Sequence, residues 1–136
     1  MAKARRSFRI HDLFAHYSLG APTATADGRL VAFSGSRPDV ETNKSVSEIW
    51  AWSPERGAWQ VTASGGKATG PQFDPRGRRL AFLSDRGGDR PQIVVMDLCL
   101  SEGRKVTGFA EGVTAYKWSP DGRQLLAAFG HNEAVI

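Results

Sequence analysis

One short pattern occurs three times in this chain and leaves little freedom in how it can fold: a glycine turn that runs straight into an apolar stretch. It reads Asp27-Gly28-Arg29-Leu30-Val31-Ala32-Phe33-Ser34, then Arg76-Gly77-Arg78-Arg79-Leu80-Ala81-Phe82-Leu83, then Asp121-Gly122-Arg123-Gln124-Leu125-Leu126-Ala127. The turn glycines Gly28, Gly77 and Gly122 are 49 and 45 residues apart. Other positions keep the same phase: Pro22 with Pro71, Phe73 with Trp118, Ile49-Trp50-Ala51-Trp52 with Ile93-Val94-Val95-Met96, and Trp59-Gln60-Val61-Thr62 with Arg104-Lys105-Val106-Thr107. Glycine accepts the positive φ that closes a hairpin, and aspartate bonds its own backbone in such turns. Asp27, Gly28, Gly77, Asp121 and Gly122 are therefore read as structural turn residues. Asp27 and Asp121 lack the clustered oxygen ligands that calcium requires.

Leu80-Ala81-Phe82-Leu83 and Ile93-Val94-Val95-Met96 are apolar at consecutive positions. A strand with one wet face would alternate, so both faces of these strands are expected to be covered. The run from Arg104 to Thr107 reads as a polar outer strand whose charges discourage pairing with other chains. Repeats of 40–50 residues, each with four short strands and glycine turns, are the signature of propeller blades, which are sandwiched between their neighbours. The expected class is all-β, a partial β-propeller of four-stranded antiparallel blades preceded by a short helix. The expected divisions are a basic tail at 1–9, a helix at 10–19, blades at 20–62 and 63–107, and an incomplete blade at 108–136. The last blade is expected to stop where its third strand should begin. Propellers close with about 4–8 blades. Open apolar faces are therefore expected at both ends of the stack, to be covered by further blades, by a partner or by self-association.

Composition narrows the function. The net charge of +4 is accounted for by Lys3, Arg5, Arg6 and Arg9, since the other 14 basic residues match the 14 acidic ones. A neutral body argues against a nucleic-acid footprint. Cys99 is the single cysteine and cannot form an internal disulfide; it reads as a small buried or half-buried side chain, not a nucleophile. Ile10-His11-Asp12 interrupts the apolar run that a secretory signal needs, and no stretch approaches a membrane span. The expectation is a cytoplasmic protein that binds neither nucleic acid nor membrane. Ile10, Leu13, Phe14 and Tyr17 have helical spacing. His11 and His16 lie on that stretch at a spacing unsuited to a shared metal, His131 is alone, and no cofactor or metal is expected.

Trp50, Trp52 and Trp118 are read as packing between blades. The polar connection over residues 35–46 exceeds an ordinary hairpin loop, and long connections in compact domains tend to be functional. Arg37, Asp39 and Glu41 would make its contacts with a partner domain or a substrate path.

Trp118-Ser119-Pro120-Asp121-Gly122-Arg123, Arg79-Leu80-Ala81-Phe82-Leu83-Ser84-Asp85-Arg86-Gly87-Gly88 and Ile93-Val94-Val95-Met96-Asp97-Leu98 together resemble the β-propeller repeats shared by TolB-like proteins and the prolyl oligopeptidase family of serine peptidases. Ser36-Arg37-Pro38-Asp39-Val40-Glu41-Thr42-Asn43-Lys44, leading into Ser47-Glu48-Ile49-Trp50, is similar to the opening blade of the acylaminoacyl-peptidase and dipeptidyl-peptidase branch. The resemblance covers residues 10–129. It implies an N-terminal propeller that caps an α/β-hydrolase domain and screens peptides by size before they reach a Ser-His-Asp centre. It transfers no catalytic residue. A Gly-x-Ser-x-Gly elbow is missing, Ser34-Gly35-Ser36 lacks the second glycine, and no histidine follows a nucleophile and an acid in hydrolase order. Two readings follow: a non-catalytic propeller portion of an acylaminoacyl-peptidase-like enzyme, inactive alone, or a TolB-like or WD-repeat-like interaction module without enzymatic activity.

Overall fold

The computed structural model describes residue 7 and residues 17–63, 65–86, 88, 90–99 and 102–136. These residues form three antiparallel sheets. In the first, β1 (Ser18–Leu19) and β2 (Thr23–Ala24) both pair with β3 (Val31–Asp39), which pairs with β4 (Lys44–Ser53) and then β5 (Gly57–Gln60). In the second, β6 (Ala68–Phe73), β7 (Arg79–Ser84), β8 (Gln92–Asp97) and β9 (Glu102–Lys105) follow one another in order. The third is β10 (Ala115–Trp118), β11 (Leu125–Phe129) and β12 (Asn132–Val135).

The sheets stack face to face, and side-chain alternation decides which residue meets which neighbour. One core, between the first and second sheets, contains Ala32, Ile49, Ala68, Phe73, Leu80, Phe82 and Met96. The other, between the second and third, contains Ala81, Ile93, Val113, Tyr116, Trp118, Leu125 and Ala127. Leu80 and Phe82 thus face one way while Ala81 faces the other, as their consecutive apolar run requires. Burying each large side chain of these cores contributes about 1.5–3 kcal/mol.

Prolines interrupt the first strand of two sheets at corresponding places. Gly20, Ala21 and Pro22 separate β1 from β2, and the Gly20 N–H still donates to the Ser34 carbonyl at 2.8 Å. In β6 the register shifts between Thr69 and Gln72, around Gly70 and Pro71. Gly70 adopts φ of 61°, the left-handed conformation that a glycine-bearing bulge uses. The next sheet satisfies the carbonyl that this exposes: the Tyr116 hydroxyl donates to Gly70 O and lies 2.8 Å from Ala81 O. Burial pushes the Tyr116 phenol up from its ordinary range.

Several expectations need correction. Residues 10–16 of the expected helix, and all of the expected tail but Ser7, lie outside the described residues; Ser18–Leu19 is strand. The third sheet does possess a third strand, since Asn132–Val135 pairs with Leu126–Phe129 through a turn at Gly130, whose φ is 54°. Its polar residues hide it, because no core of described residues covers that strand. Cys99 is exposed at the turn after β8, where its N–H donates to Asp97 Oδ1 at 2.8 Å. Trp118 packs between sheets as expected, but Trp50 and Trp52 do not. Ile49 and Ala51 take the inward positions of β4, which turns both tryptophans to the face of the first sheet that no other sheet of described residues covers; Trp52 is 40% exposed.

Candidate functional site

The three glycine turns solve one problem in two ways. Thr25 donates its hydroxyl to Asp27 Oδ1 at 2.7 Å while accepting the Leu30 N–H at 3.3 Å, and the Arg29 N–H reaches the same carboxylate at 3.0 Å. Ser119, Asp121, Arg123 and Gln124 reproduce this set at 2.6–3.0 Å. In the middle turn Asp74 stands in the Thr25 position and receives Arg78 N and Arg79 N directly, at 2.8 and 3.1 Å. The glycines close these turns at φ of 69°, 68° and 71°. Adjoining turns touch: a side chain on Gly77 would meet Thr25 at 3.3 Å, and one on Gly122 would meet Pro75 at 3.3 Å. Asp27 and Asp121 are thereby occupied by the turn itself. Their neighbouring hydroxyls, then the N–H donors, hold both carboxyls below the usual value of 3.8.

Arg79 ties the middle turn to the last. Its guanidinium lies 3.6 Å from Asp74, donates to the Gly122 carbonyl and sits 5.0 Å from the centre of the Trp118 ring. A buried relay recurs in the first two sheets, in the middle of β4 and at the start of β8. The Thr62 hydroxyl accepts the Ile49 N–H at 2.9 Å and donates to Glu48, whose other oxygen accepts the Gly65 N–H at 2.8 Å. The Thr107 hydroxyl likewise accepts the Ile93 N–H at 2.9 Å and donates to Gln92 at 2.7 Å, and the Gln92 amide bonds both backbone groups of Phe109. Sequence reasoning missed Arg79, Glu48 and Gln92. The paired Val61-Thr62 and Val106-Thr107 endings were the available signal.

Residues 35–46 are not an irregular loop. Strands β3 and β4 stay paired outward through Arg37↔Val46, Pro38↔Ser45 and Asp39↔Lys44, so the stretch is a two-stranded arm closed by residues 40–43, with Asn43 at φ of 53°. Beyond Ser36, β3 has no other partner strand among the described residues, which is why proline is tolerated at position 38. Arg37 and Asp39 share one side of β3, two positions apart. Glu41 is exposed in the turn, where its N–H donates to Asp39 Oδ1 at 3.0 Å. The Thr42 hydroxyl is the main cause that holds the Asp39 carboxyl low, and Arg37 adds a small pull in the same direction. The arm thus places all three residues together at one projection.

Two clefts adjoin it. One, of about 230 Å³, runs along the outer face of the first sheet, where Arg37 and Glu48 border Tyr17 and Trp50. The Trp50 ring lies across Gly35, and Tyr17 meets it edge-on at 5.8 Å. The other, of about 620 Å³, lies between the arm at Thr42, Lys44 and Ser45 and the neighbouring sheet's Lys67, Asp85 and Arg86. Such an arrangement can bind or obstruct an extended polar chain.

No family model matches the chain. A curated relative, the uncharacterized peptidase YuxL of Bacillus subtilis, is 35% identical over 127 residues, 91% of this chain and 19% of that protein. Dipeptidyl-peptidase 5 of Porphyromonas gingivalis is 33% identical over 101 residues, 74% of this chain and 15% of its own length. The chain therefore spans less than a fifth of each of these two relatives. Among solved structures, acylaminoacyl peptidase of Pyrococcus horikoshii superposes with a TM-score of 0.70 at 26% identity, over 85% of this chain and 18% of that one. Together with the three stacked sheets, these likenesses identify the chain as a run of β-propeller blades of the prolyl oligopeptidase-type peptidase family, in its acylaminoacyl-peptidase and dipeptidyl-peptidase branch.

Proposed function

We propose that this chain serves as the non-catalytic propeller portion of an acylaminoacyl-peptidase-like serine peptidase, where it supports a hydrolase domain and gates the approach of peptides. The observation that carries this reading is the 35% identity to a peptidase across 91% of the chain, joined to sheets stacked as blades. The arm bearing Arg37, Asp39 and Glu41 is assigned the contact with the hydrolase domain or the peptide path, because it projects beyond the stack and flanks both clefts.

The test is an assay of the purified chain with acyl-peptide and aminoacyl chromogenic substrates, with and without a serine-directed inhibitor. The expected result is no turnover that the inhibitor removes; inhibitor-sensitive hydrolysis would overturn the reading. Sequencing the coding DNA past the Ile136 codon provides a second check. A Gly-x-Ser-x-Gly elbow several hundred codons on supports the proposal, and its absence favours an interaction module.

A further inference from the structure

A groove of about 650 Å³ opens between the first and second sheets, on the side of β8 and β9. Its floor is Phe82, Val94 and Met96, and Val61 forms part of the opposing wall. The sequence keeps it open at Gly103. Register pairs Met96 with Gly103 and Val94 with Lys105, so the outer strand offers no side chain over Met96 and a long cation beside it. A carbon added to Gly103 would stand 3.2 Å from Val94, partly closing the groove.

The open end is cationic. Arg86 and Lys105 line both this groove and an adjoining depression of about 420 Å³, where Arg90 joins them. All three side chains are exposed, and none forms an ion pair with a described residue. Three unneutralised cations beside an apolar floor make a surface whose complement carries carboxylates next to large apolar side chains. The volume lies within the range of about 300–1,000 Å³ typical of ligand sites.

We propose that this groove docks an extended peptide segment in which acidic residues flank leucine- or phenylalanine-like side chains. The apolar side chains enter over Val94 and Met96, and the carboxylates meet Arg86, Arg90 and Lys105. This surface shares Arg86 with the cleft beside the arm, but it does not depend on the peptidase reading.

The test measures fluorescence anisotropy of a labelled hexapeptide alternating glutamate with leucine and phenylalanine, titrated with the full 136-residue chain. The same peptide with lysine in place of glutamate is the comparison. Binding of the acidic peptide alone is expected, weakened by salt and reduced tenfold or more in the Arg86→Glu, Lys105→Glu double variant. Lys105→Gln is expected to give a smaller loss, and Arg29→Glu, at the opposite turn end, none. Equal binding of both peptides, indifference to the double variant, or no binding at millimolar chain would overturn the proposal. So would a fall in sedimenting mass of the double variant without peptide binding, which would assign the groove to a second copy of the chain.

Discussion

At the scale of single residues, the polar side chains between strands matter as much as the apolar cores. Thr107 is buried, and Thr107→Val would leave the Ile93 N–H without its partner; a loss of about 1–3 kcal/mol is expected in urea unfolding. Glu48→Gln should cost less than about 1 kcal/mol and Glu48→Ala about 1–3 kcal/mol, because Gln92 shows that an amide oxygen can perform the same task. Equal losses for both Glu48 variants would contradict the relay. The turn aspartates set an acid response. Asp27, Asp39 and Asp121 have carboxyls held below 3.8, so whatever they contribute is complete above that value and disappears as pH falls through their lower folded values. Carboxyl NMR titrations should give midpoints below 3.8 for all three; midpoints at or above it would remove the hydroxyl bonds from the account. Arg79 is the residue that was hardest to foresee. Its partners Asp74, Gly122 and Trp118 are separated from it by 5, 43 and 39 positions, and no local pattern announces them.

At the scale of elements, the glycine turns and consecutive apolar runs made β7, β8 and β11 legible, because both signals arise from local backbone preference and two-sided burial. The arm and β12 were not legible for the converse reason. Their residues are largely polar and exposed, and their pairing is settled by turns at Asn43 and Gly130 rather than by a core. The two tryptophans of β4 were placed on the correct side of one strand but against the wrong neighbour, since alternation states which residues share a face and not which face is covered. Two substitutions test the elements. Asn43→Val forces a β-branched residue into the left-handed region, at a cost of about 1–2 kcal/mol, and should raise amide exchange in the arm before the rest of the first sheet. Tyr116→Phe leaves the carbonyls of Gly70 and Ala81 without their shared donor, with an expected loss of about 1–3 kcal/mol by thermal or urea unfolding. An unchanged midpoint for Tyr116→Phe would mean that water serves the bulge equally well.

At the scale of the whole molecule, each sheet is a layer that buries apolar side chains on its neighbours, and the two outermost faces have no neighbouring sheet among the described residues. Trp52 on the first sheet is 40% exposed, while Leu126 and Val135, cross-strand partners on the third, are 46% and 63% exposed. In a propeller these are the faces against which further blades pack, so they link the fold to the proposed role as part of a larger peptidase. Sedimentation of the purified chain over a range of concentrations, in the presence of an apolar-surface dye, tests this layered account most directly. It predicts association or dye binding that falls when Trp52→Glu and Leu126→Lys are combined. A dye-silent monomer at every concentration, unchanged by those substitutions, would contradict it.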